Sequence, residues 1–521
     1  MQSPEAARWR EAAEAEYNSL VSHDTFKLVE HPPGVKVLGS RWVFKTKRHT
    51  DGTVARYKGR IVVQGFRQTV TAGEDYNIDE LAAPVAAMNS VRLTVATAAY
   101  NDWDCLQCDV DTAYLYSAVS EDIYVEQPHG FEVRGPNGEI LVWKLQRSLY
   151  GLKQSAYNWN NTISSYFSEL GFTASPADYC VFVRATNDND IVIIALYVDD
   201  LVITGANRDS LEAVKARIGT RFKIKDLGDV HHLLGMRVTR DRQQGMVKLD
   251  QEHFIIEMLE RFDMATCNKV RSPALPGDTV TKESCPTSTE EIAVMKEVPY
   301  RSLVGSLMYA AHVTRPDIAN TVRGLGTVAH NPGEEHWLKA KRCLRYLSGT
   351  KELGLVYWRK DRLEEQQLLL TGYVDADWAG DSHSGRSTSG CLFMVAGGAV
   401  AFASRLQKSV ARSTMEAEYM ALFEAAQMAI ILRDLLQHMR QPQLEPTIIF
   451  EDNTACIALA NSQGYTKRSR HVNIKYHFTR EQVQSGIITV QQIGTKEQLA
   501  DGLTKNVSPA RLEELRDVIM G

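Results

Sequence analysis

Two adjacent carboxylates interrupt one of the most apolar stretches of the chain. Asp199 and Asp200 follow the run IVIIALYV at residues 191–198 and precede the run LVIT. Burying a carboxylate is costly unless a positive charge compensates it. Because neighbouring side chains of a strand face opposite ways, both acids can serve one site only at a turn. The pattern predicts a tight hairpin with the carboxylates at its tip, although the pair alone is also typical of an ordinary polar turn.

A third carboxylate completes a candidate metal site. Asp109 stands in LQCDVDTAYLYS, at the end of another strand-like run. Carboxylate oxygens that converge from separate strands suit Mg²⁺, which keeps water and substrate phosphates as its other ligands. Two such ions about 3.5–4 Å apart stabilise both the attacking and the leaving oxygen in phosphoryl transfer. We predict that Asp109, Asp199 and Asp200 bind two Mg²⁺ ions, with Mn²⁺ as the alternative.

Four more acids recur near the ends of predicted elements late in the chain. Asp375 lies at the acidic end of a strand, Glu418 lies in a long helix, Asp452 ends a second strand, and Asp501 lies in a late helical segment. Because they are far apart in sequence, they can form a site only in the folded chain. Their order resembles the ribonuclease H fold, in which two Mg²⁺ ions activate water against the RNA strand of an RNA–DNA hybrid.

The elements that must position these acids fall into three predicted domains, residues 1–265, 266–365 and 366–521. The first begins with a charged amphipathic helix and then alternates strand-like and helical runs. The second opens with a linker rich in Pro, Ser and Thr and continues as helices. The third is α/β, with a hairpin turn at Gly397-Gly398, a long helix after Ser413 and a terminal helix within residues 495–506. The predicted fold class is α+β and α/β multidomain.

Composition narrows the function classes. Hydrophobic residues make up 44% and charged residues 24% of the 521, which is typical of a soluble globular protein. The run at 191–198 is too short to span a bilayer, and the first twenty residues do not resemble a signal peptide, so no membrane partner is predicted. A net charge of −5 excludes a surface that is basic throughout, but basic runs at 41–49, 56–60, 339–351 and 466–471 leave room for local nucleic-acid grooves. The eight cysteines lack a regular spacing, which indicates a reducing compartment.

Seven segments follow one another in the first domain: RWVFKTK, RYKGRIVVQGF, DVDTAYLYS, IYVEQPHGF, WKLQRSLYGLKQSAYNW, LYVDDLVITG and RFKIKDLGDVHHLLGM. In this order they resemble the reverse transcriptase of copia-type long-terminal-repeat retrotransposons. The third domain resembles the ribonuclease H domain of the same elements through GYVDADWAGD, RSTSG, STMEAEYMAL, FEDNTACIALANS, RSRHVNIKYHFTREQV and QLADGLTK. The resemblance implies a right-hand polymerase of fingers, palm and thumb, followed by a connection and a ribonuclease H-like domain.

The resemblance also implies roles for individual residues. Asp109, Asp199 and Asp200 match the metal-binding triad of the family. Tyr114 matches the aromatic residue that crowds the sugar 2′ position and favours deoxynucleotides; a core aromatic is the alternative. The remaining nucleotide-binding candidates are Lys45 and Arg60, which would contact the incoming triphosphate, and Gly151 and Gln154, which would lie close to template and nucleotide.

Two acids compete for one place in the ribonuclease site. Ser413 and Glu416 fit a capping box, in which the glutamate reaches back to the backbone N–H of the cap residue. This gives Glu416 a structural function and leaves Glu418 as the metal ligand.

Other polar residues near the motifs have two interpretations each. Asp111 and Asp377 share a strand face with a predicted ligand and are either surface acids or supports of the site. His471 and His477 either contact phosphate or are structural. The triplet Ser387, Thr388 and Ser389 either donates to phosphate or forms a turn.

The predicted function is RNA- and DNA-directed DNA polymerase activity with ribonuclease H. The implied partners are RNA template, DNA primer, RNA–DNA hybrid, deoxynucleoside triphosphates and other parts of a retrotransposon polyprotein, with a homodimer left open. The chain lacks a recognisable aspartic protease motif or HHCC integrase module, so we expect a carboxy-terminal part of a polyprotein or a separate fragment. The family implies a cytoplasmic virus-like particle with a later nuclear stage. The alternatives are a binding subunit without catalysis and a ribonuclease H whose polymerase half has decayed.

Overall fold

The computed structural model describes residues 5–48, 53–69, 83–185, 190–364, 367–381, 383–462 and 473–520. Its helices are α1 (Ala6–Ser22), α2 (Met88–Tyr100), α3 (Ser155–Glu169), α4 (Arg208–Arg221), α5 (Glu252–Arg261), α6 (Thr289–Glu297), α7 (Tyr300–Val313), α8 (Ala319–Gly326), α9 (Glu334–Gly349), α10 (Thr414–His438), α11 (Thr454–Asn461), α12 (Asn473–Gln484), α13 (Asp501–Thr504) and α14 (Pro509–Ile519). Its strands are β1 (Phe26–Glu30), β2 (Val37–Leu38), β3 (Ser40–Arg48), β4 (Val54–Val63), β5 (Asp104–Val110), β6 (Tyr124–Val125), β7 (Leu141–Leu145), β8 (Thr173–Ala174), β9 (Val181–Ala185), β10 (Ile191–Tyr197), β11 (Asp200–Gly205), β12 (Ile224–Asp229), β13 (His232–Leu233), β14 (Met236–Asp241), β15 (Met246–Asp250), β16 (Gly354–Trp358), β17 (Thr371–Asp377), β18 (Thr388–Val395), β19 (Gly398–Leu406), β20 (Thr447–Glu451) and β21 (Ile488–Gln492).

Within these described ranges the strands form five sheets. The largest has six strands in the order β12-β5-β11-β10-β9-β8, and β3 and β4 form a separate two-stranded hairpin. The sheet of the last block has the order β19-β18-β17-β20-β21. In it β17 pairs antiparallel with β18 but parallel with β20. The chain is therefore a mixed α/β protein, as the sequence predicts.

One buried helix connects the first and last blocks. Every residue of α2 from Ser90 to Tyr100 is buried, which exceeds the one apolar stripe of a surface helix. Arg92 is fully buried in it and donates to the carbonyl oxygens of Val400, His312 and Val313 at 2.8, 2.7 and 2.9 Å. These bonds satisfy a guanidinium that has no contact with water, and they tie three distant segments together.

The predicted domain boundaries at residues 265 and 365 stay predictions. Strand pairing and core packing connect residues on the two sides of them. Strand β16 pairs antiparallel with β15, so a strand from beyond residue 265 completes a sheet formed before it. The hydrophobic core that surrounds α2 also includes residues of both the first and the last block. The two outer blocks thus share buried surface.

Two local predictions for the last block are wrong in detail. The hairpin turn consists of Ala396 and Gly397, one residue earlier than Gly397-Gly398, because Gly398 already pairs with Val395. A Cβ atom at Gly398 would lie 2.2 Å from the carbonyl oxygen of Val356, so this glycine permits close strand packing. Residues 495–506 contain only the single turn α13, and the terminal helix is α14. The predicted α1, the β10–β11 hairpin and the long helix α10 are confirmed.

Two further observations concern the whole chain. All eight cysteines are free, and Cys105 and Cys108 are buried in β5. Among the described helices, none combines the length and the apolar character that a bilayer span requires.

Candidate active sites

The hairpin of β10 and β11 carries the first acidic pair at its tip. Tyr197 pairs with Asp200, so Val198 and Asp199 form a two-residue turn. Val198 has a φ of 58°, which is unfavourable for a β-branched residue. The indole N–H of Trp159 donates to the Val198 carbonyl at 2.6 Å and so stabilises this backbone. Strained residues of this kind cluster at functional sites.

Strand β5 brings the third acid to the same place. Asp109 lies directly opposite Asp200 in the antiparallel register, and opposite residues of such a pair share a face. The backbone N–H of Val110 donates to the carbonyl oxygen of Asp199 at 2.9 Å. The structure therefore brings Asp109, Asp199 and Asp200 together.

The charges of these acids oppose one another. Burial raises the pKa of Asp200 to about 6, and the neighbouring carboxylates Asp199 and Asp109 add to the effect. Burial also raises the pKa of Asp109, followed by repulsion from Asp199 and Asp111. Both shifts mean that the folded chain disfavours a full negative charge here. A bound divalent cation would reverse that preference. Among the described residues, Asp109, Asp199 and Asp200 do not all offer oxygens within 4.8 Å of one another, whereas Asp375, Glu418 and Asp452 do.

The β3–β4 hairpin presents a basic face near this cluster. Lys45 lies opposite Lys58, and Lys47 lies opposite Arg56, so these four cations share one side of the hairpin. The other side is apolar and packs on α1. There the ring centre of Trp9 lies 5.3 Å from that of Phe44 and 4.4 Å from that of Tyr57. Packing of the apolar side leaves the basic side free to bind anions.

The pKa of Asp109 is raised overall, and among the cations of this hairpin Lys58 and Lys47 oppose that shift most strongly. Sequence reasoning singled out Lys45 and missed these two. The period-two alternation of β3 and β4 could have indicated them, because it places all these cations on one face.

An aromatic pair lies between the basic hairpin and the acids. The guanidinium of Arg60 lies 4.3 Å from the ring centre of Tyr150, whose ring lies 4.9 Å from that of Tyr114. Burial raises the pKa of Tyr114, and the negative charge of Asp199 raises it further while Arg60 opposes it. Arg60, Tyr114 and Asp199 therefore lie within electrostatic reach of one another. Tyr150 is a further residue that sequence reasoning missed.

Gly151 and Gln154 serve as packing residues in this structure. Gly151 has a φ of 98°, and a Cβ atom there would lie 2.1 Å from the Val63 carbonyl oxygen. The side chain of Gln154 is fully buried; it accepts from the Gln68 amide at 3.1 Å and donates to Glu121 at 3.3 Å. Both residues join the 149–154 segment to the end of β4. Their predicted contact with nucleotide remains a prediction, and the geometry assigns them a positioning function.

Three of the four late acids form the second cluster. Asp375 of β17, Glu418 of α10 and Asp452, which follows β20, each offer an oxygen within 4.8 Å of the others. Asp375 and Glu418 are buried, and Asp452 is partly exposed. One carboxylate oxygen of Glu418, Oε2, is buried without a hydrogen-bond partner. An orphaned buried oxygen beside two other carboxylates fits a cation ligand.

Asp501 belongs to the same site but faces a different neighbour. It begins α13, and the Lys505 ammonium lies 2.7 Å from its Oδ1 and 3.8 Å from Oδ2 of Asp375. The Thr504 hydroxyl donates to the same Asp375 oxygen. Burial lowers the pKa of Lys505, but Asp375 and Asp501 outweigh burial and raise it overall.

Burial governs the electrostatics of the second cluster as well. It raises the pKa of Asp375 to about 6, opposed by Lys505 and Thr504. It also raises the pKa of Glu418, followed by repulsion from Glu451 and Asp375. Glu451 is fully buried at the end of β20, and its own pKa is raised by burial. Sequence reasoning missed this fifth acid, which is the last residue of β20, and selected only the acid that follows it, Asp452.

The structure separates the roles of Glu416 and Glu418. The Ser413 hydroxyl accepts from the Glu416 backbone N–H at 3.2 Å, as the capping box requires. The Glu416 carboxylate accepts from the N–H of Arg412, one residue before the predicted partner, at 2.8 Å. The predicted box is therefore wrong in that detail, but Glu416 is engaged in capping and Glu418 lies with the other acids.

The other polar candidates that the structure describes have partners or positions of their own. Asp111 pairs with Lys223 at 3.5 Å. Ser387 precedes β18, and Thr388 and Ser389 begin it; all three are buried, so they form neither a turn nor an exposed group of phosphate donors. His477 is exposed on α12, whereas His471 and the basic run 466–471 lie outside the described residues.

The basic run 339–351 makes contacts within the chain. Lys339 pairs with Asp278 and Glu335, at 2.8 Å in each case. Arg345 donates to the carbonyl oxygen of Asn268 at 2.6 Å. Two of its cations are therefore occupied by structural partners, and the predicted hybrid track remains a prediction.

Comparisons with known proteins identify a family to which the chain is similar. A family model described as reverse transcriptase (RNA-dependent DNA polymerase) matches residues 23–276. The chain is 39% identical over 516 residues to the retrovirus-related Pol polyprotein from transposon TNT 1-94 of Nicotiana tabacum, covering 99% of this chain and 38% of that protein. It is 32% identical to the putative transposon Ty5-1 protein of Saccharomyces cerevisiae, covering 61% of this chain and 98% of that protein. The chain belongs to the Pol proteins of copia-type retrotransposons.

The chain spans 38% and 33% of the two Pol polyproteins from transposons TNT 1-94 and RE1 that it matches. Among solved structures, it is similar to the LC11 ribonuclease H1 isolated from compost, at 18% identity and a TM-score of 0.22. That match covers 26% of this chain and 94% of the ribonuclease.

Proposed function

We propose that the chain is an RNA- and DNA-directed DNA polymerase with an attached ribonuclease that cleaves the RNA of an RNA–DNA hybrid, and that it makes retrotransposon cDNA. One observation supports the proposal above all: two groups of acids that are distant in sequence converge separately at strand ends. In this proposal the β3–β4 hairpin is the fingers, the six-stranded sheet is the palm, and the helices before residue 265 begin the thumb. Residues 266–365 are the connection.

In the polymerase, Asp109, Asp199 and Asp200 would hold two Mg²⁺ ions, with Mn²⁺ as the alternative. When bound, the ions would activate the primer 3′-hydroxyl and offset the charge that develops on the phosphates. The hydroxyl attacks the α-phosphate of a deoxynucleoside triphosphate, and pyrophosphate leaves.

The residues around the triad orient the reactants. Lys47 and Lys58 share the basic face with Lys45 and would bind the triphosphate as point charges. Arg60 is held against the Tyr150 ring, so its planar guanidinium can bind phosphate with little loss of side-chain freedom. Tyr114 packs against the same ring and would limit the space beside the sugar.

In the ribonuclease, Asp375, Glu418, Asp452 and Asp501 would hold a second pair of Mg²⁺ ions. The buried oxygen of Glu418 has no other partner, which fits a ligand. Water is the nucleophile in this reaction, and the RNA strand of the hybrid is the substrate.

Two assays on matched variants test the proposal. Primer extension on an RNA template and cleavage of a labelled hybrid are measured with Mg²⁺ for the full chain. We expect Asp199→Asn to abolish extension and keep cleavage, and Asp452→Asn to abolish cleavage and keep extension. Asp111→Asn and Glu416→Gln are the controls, because they change acids that lie beside each cluster but pair elsewhere.

The outcomes separate the alternatives. If the unmodified chain cleaves the hybrid but does not extend the primer, and Asp199→Asn changes neither result, a ribonuclease alone would be favoured. Absence of both activities in the unmodified chain, with retained hybrid binding, would favour a binding subunit.

The remaining partners follow from the family. We propose that the chain works with other parts of the Pol polyprotein, first within a cytoplasmic particle and later in the nucleus. Sedimentation of the purified chain would test whether a homodimer forms.

A further inference from the structure

A cation that belongs to the chain itself lies inside the ribonuclease cluster. Lys505 directly follows α13, and its backbone N–H donates to the Asp501 carbonyl oxygen at 3.1 Å. Its side chain folds back so that Nζ lies 2.7 Å from Asp501 Oδ1 and 3.8 Å from Asp375 Oδ2. The ammonium thus lies between two of the four acids that the proposed ribonuclease function assigns to metal.

The four acids consequently divide into an open group and a closed pair. Asp375, Glu418 and Asp452 offer oxygens within 4.8 Å of one another, and Asp501 is not a member of this group. The group keeps the unpartnered buried oxygen of Glu418 available to an ion. Lys505 bridges Asp375 and Asp501. A metal ion bound to both of these acids would therefore be repelled by the positive charge of the Lys505 ammonium at short distance.

Lys505 has a place to move to. Its side chain is 44% exposed, whereas the side chains of Asp375 and Asp501 are 5% and 7% exposed. It lines a cavity of about 270 Å³ between the last block and α8, together with Arg323, Asn506 and Asp377. A phosphate of a bound hybrid would offer the ammonium a new anionic partner at the exposed side of the cluster.

We propose that Lys505 is a positioning residue that sets the order of metal loading in the ribonuclease site. The proposal rests on the ribonuclease function proposed above. In the free chain the ammonium of Lys505 occupies the position between Asp375 and Asp501, while Asp375, Glu418 and Asp452 would hold one ion. A phosphate of a bound hybrid would draw Lys505 away and leave Asp375 and Asp501 free to hold a second ion. Removal of the Lys505 charge would therefore let the second ion bind without substrate.

The experiment counts bound ions and does not depend on activity. The full chain carries Asp109→Asn and Asp199→Asn, which remove two ligands of the polymerase site, and bound Mn²⁺ is measured by electron paramagnetic resonance. We expect one Mn²⁺ per free chain and two after addition of a hybrid whose RNA strand is 2′-O-methylated and resists cleavage. In the same background, Lys505→Met should bind two Mn²⁺ without hybrid, with the second ion bound about tenfold more tightly than in the parent, because the repelling charge is gone.

Two variants serve as comparisons. Lys505→Arg keeps the charge and should still bind one Mn²⁺ in the free state. Lys496→Met removes an exposed lysine of the same block and should behave as the parent does.

The results distinguish this inference from the proposed function. Two Mn²⁺ ions in the free parent chain, or one ion in free Lys505→Met, would overturn the loading order while hybrid cleavage by the unmodified chain still supported the ribonuclease. Failure of Mn²⁺ to bind the parent at all, together with absent cleavage by the unmodified chain, would overturn both. If Lys505→Met does not fold, Lys505→Gln removes the same charge and decides the question by the same count of Mn²⁺ in the free chain.

Discussion

Replacing Asp375 by asparagine should stabilise the metal-free protein. Asp375 is 3% exposed, and burial raises its pKa from 3.8 to about 6. A shift of one pKa unit corresponds to about 1.4 kcal/mol, so the ionised carboxylate destabilises the folded state by roughly 3 kcal/mol. Asparagine keeps the size of the side chain and can still accept from Thr504. We expect the variant to gain about 1–3 kcal/mol of unfolding free energy at pH 7.5 in EDTA.

The sign of the effect depends on pH. Because the pKa of Asp375 is raised in the folded chain, stability falls as pH rises from 3.8 to about 6 and the penalty is complete above that window. The gain of Asp375→Asn should therefore disappear below pH 4. Saturating Mg²⁺ should reverse the order, since only the original chain gains the binding free energy of a complete site.

Denaturant titration followed by fluorescence, in EDTA and in Mg²⁺, measures these differences. Asp517→Asn is the control, because that carboxylate is 73% exposed and its replacement should change little. A lower stability of Asp375→Asn in EDTA at pH 7.5, or an equal gain at pH 4 and pH 7.5, would refute the reasoning.

Three other substitutions or conditions test the remaining structure. Gly151→Ala should destabilise by several kcal/mol in thermal unfolding, since its Cβ would lie 2.1 Å from the Val63 carbonyl oxygen; Gly130→Ala, with a similar φ of 88° but open space around it, should cost only about 1 kcal/mol. Arg92→Met should lower the unfolding free energy by about 3–5 kcal/mol, because three carbonyl oxygens, those of Val400 and Val313 in buried hydrogen bonds, lose their donor, and an unchanged denaturation midpoint would contradict this. The Mg²⁺ affinity of the polymerase site, measured by calorimetry, should fall as pH drops below about 6, where protons compete for Asp200; the slope should flatten in Asp200→Asn.

Local patterns in the sequence were sufficient for two of the elements that carry the acids. The apolar runs around Asp199 and Asp200 predict the β10–β11 hairpin, because strand-forming residues flank a polar pair that a turn tolerates. The capping signal of Ser413 predicts the start of α10, and with it the separation of Glu416 from Glu418. In these cases each preference depends on residues only a few positions apart.

Other features depend on contacts between distant segments. The turn at Ala396-Gly397 is displaced by one residue, since Gly398 must allow β19 to approach Val356 of β16. The burial of α2 on several sides could not be read from its periodicity, because strands of three different sheets cover it. No spacing rule indicated that Gln154 would be fully buried.

The composition of the sites shows the same division. Residue types, their order and the resemblance to a known family pointed to the seven acids, and the metal-binding roles assigned to them stay predictions. Folding alone brought Lys505 between Asp375 and Asp501 and put Glu451 beside Glu418. The charge of a site is a sum over side chains that meet in space, and a linear pattern contains no distances between them.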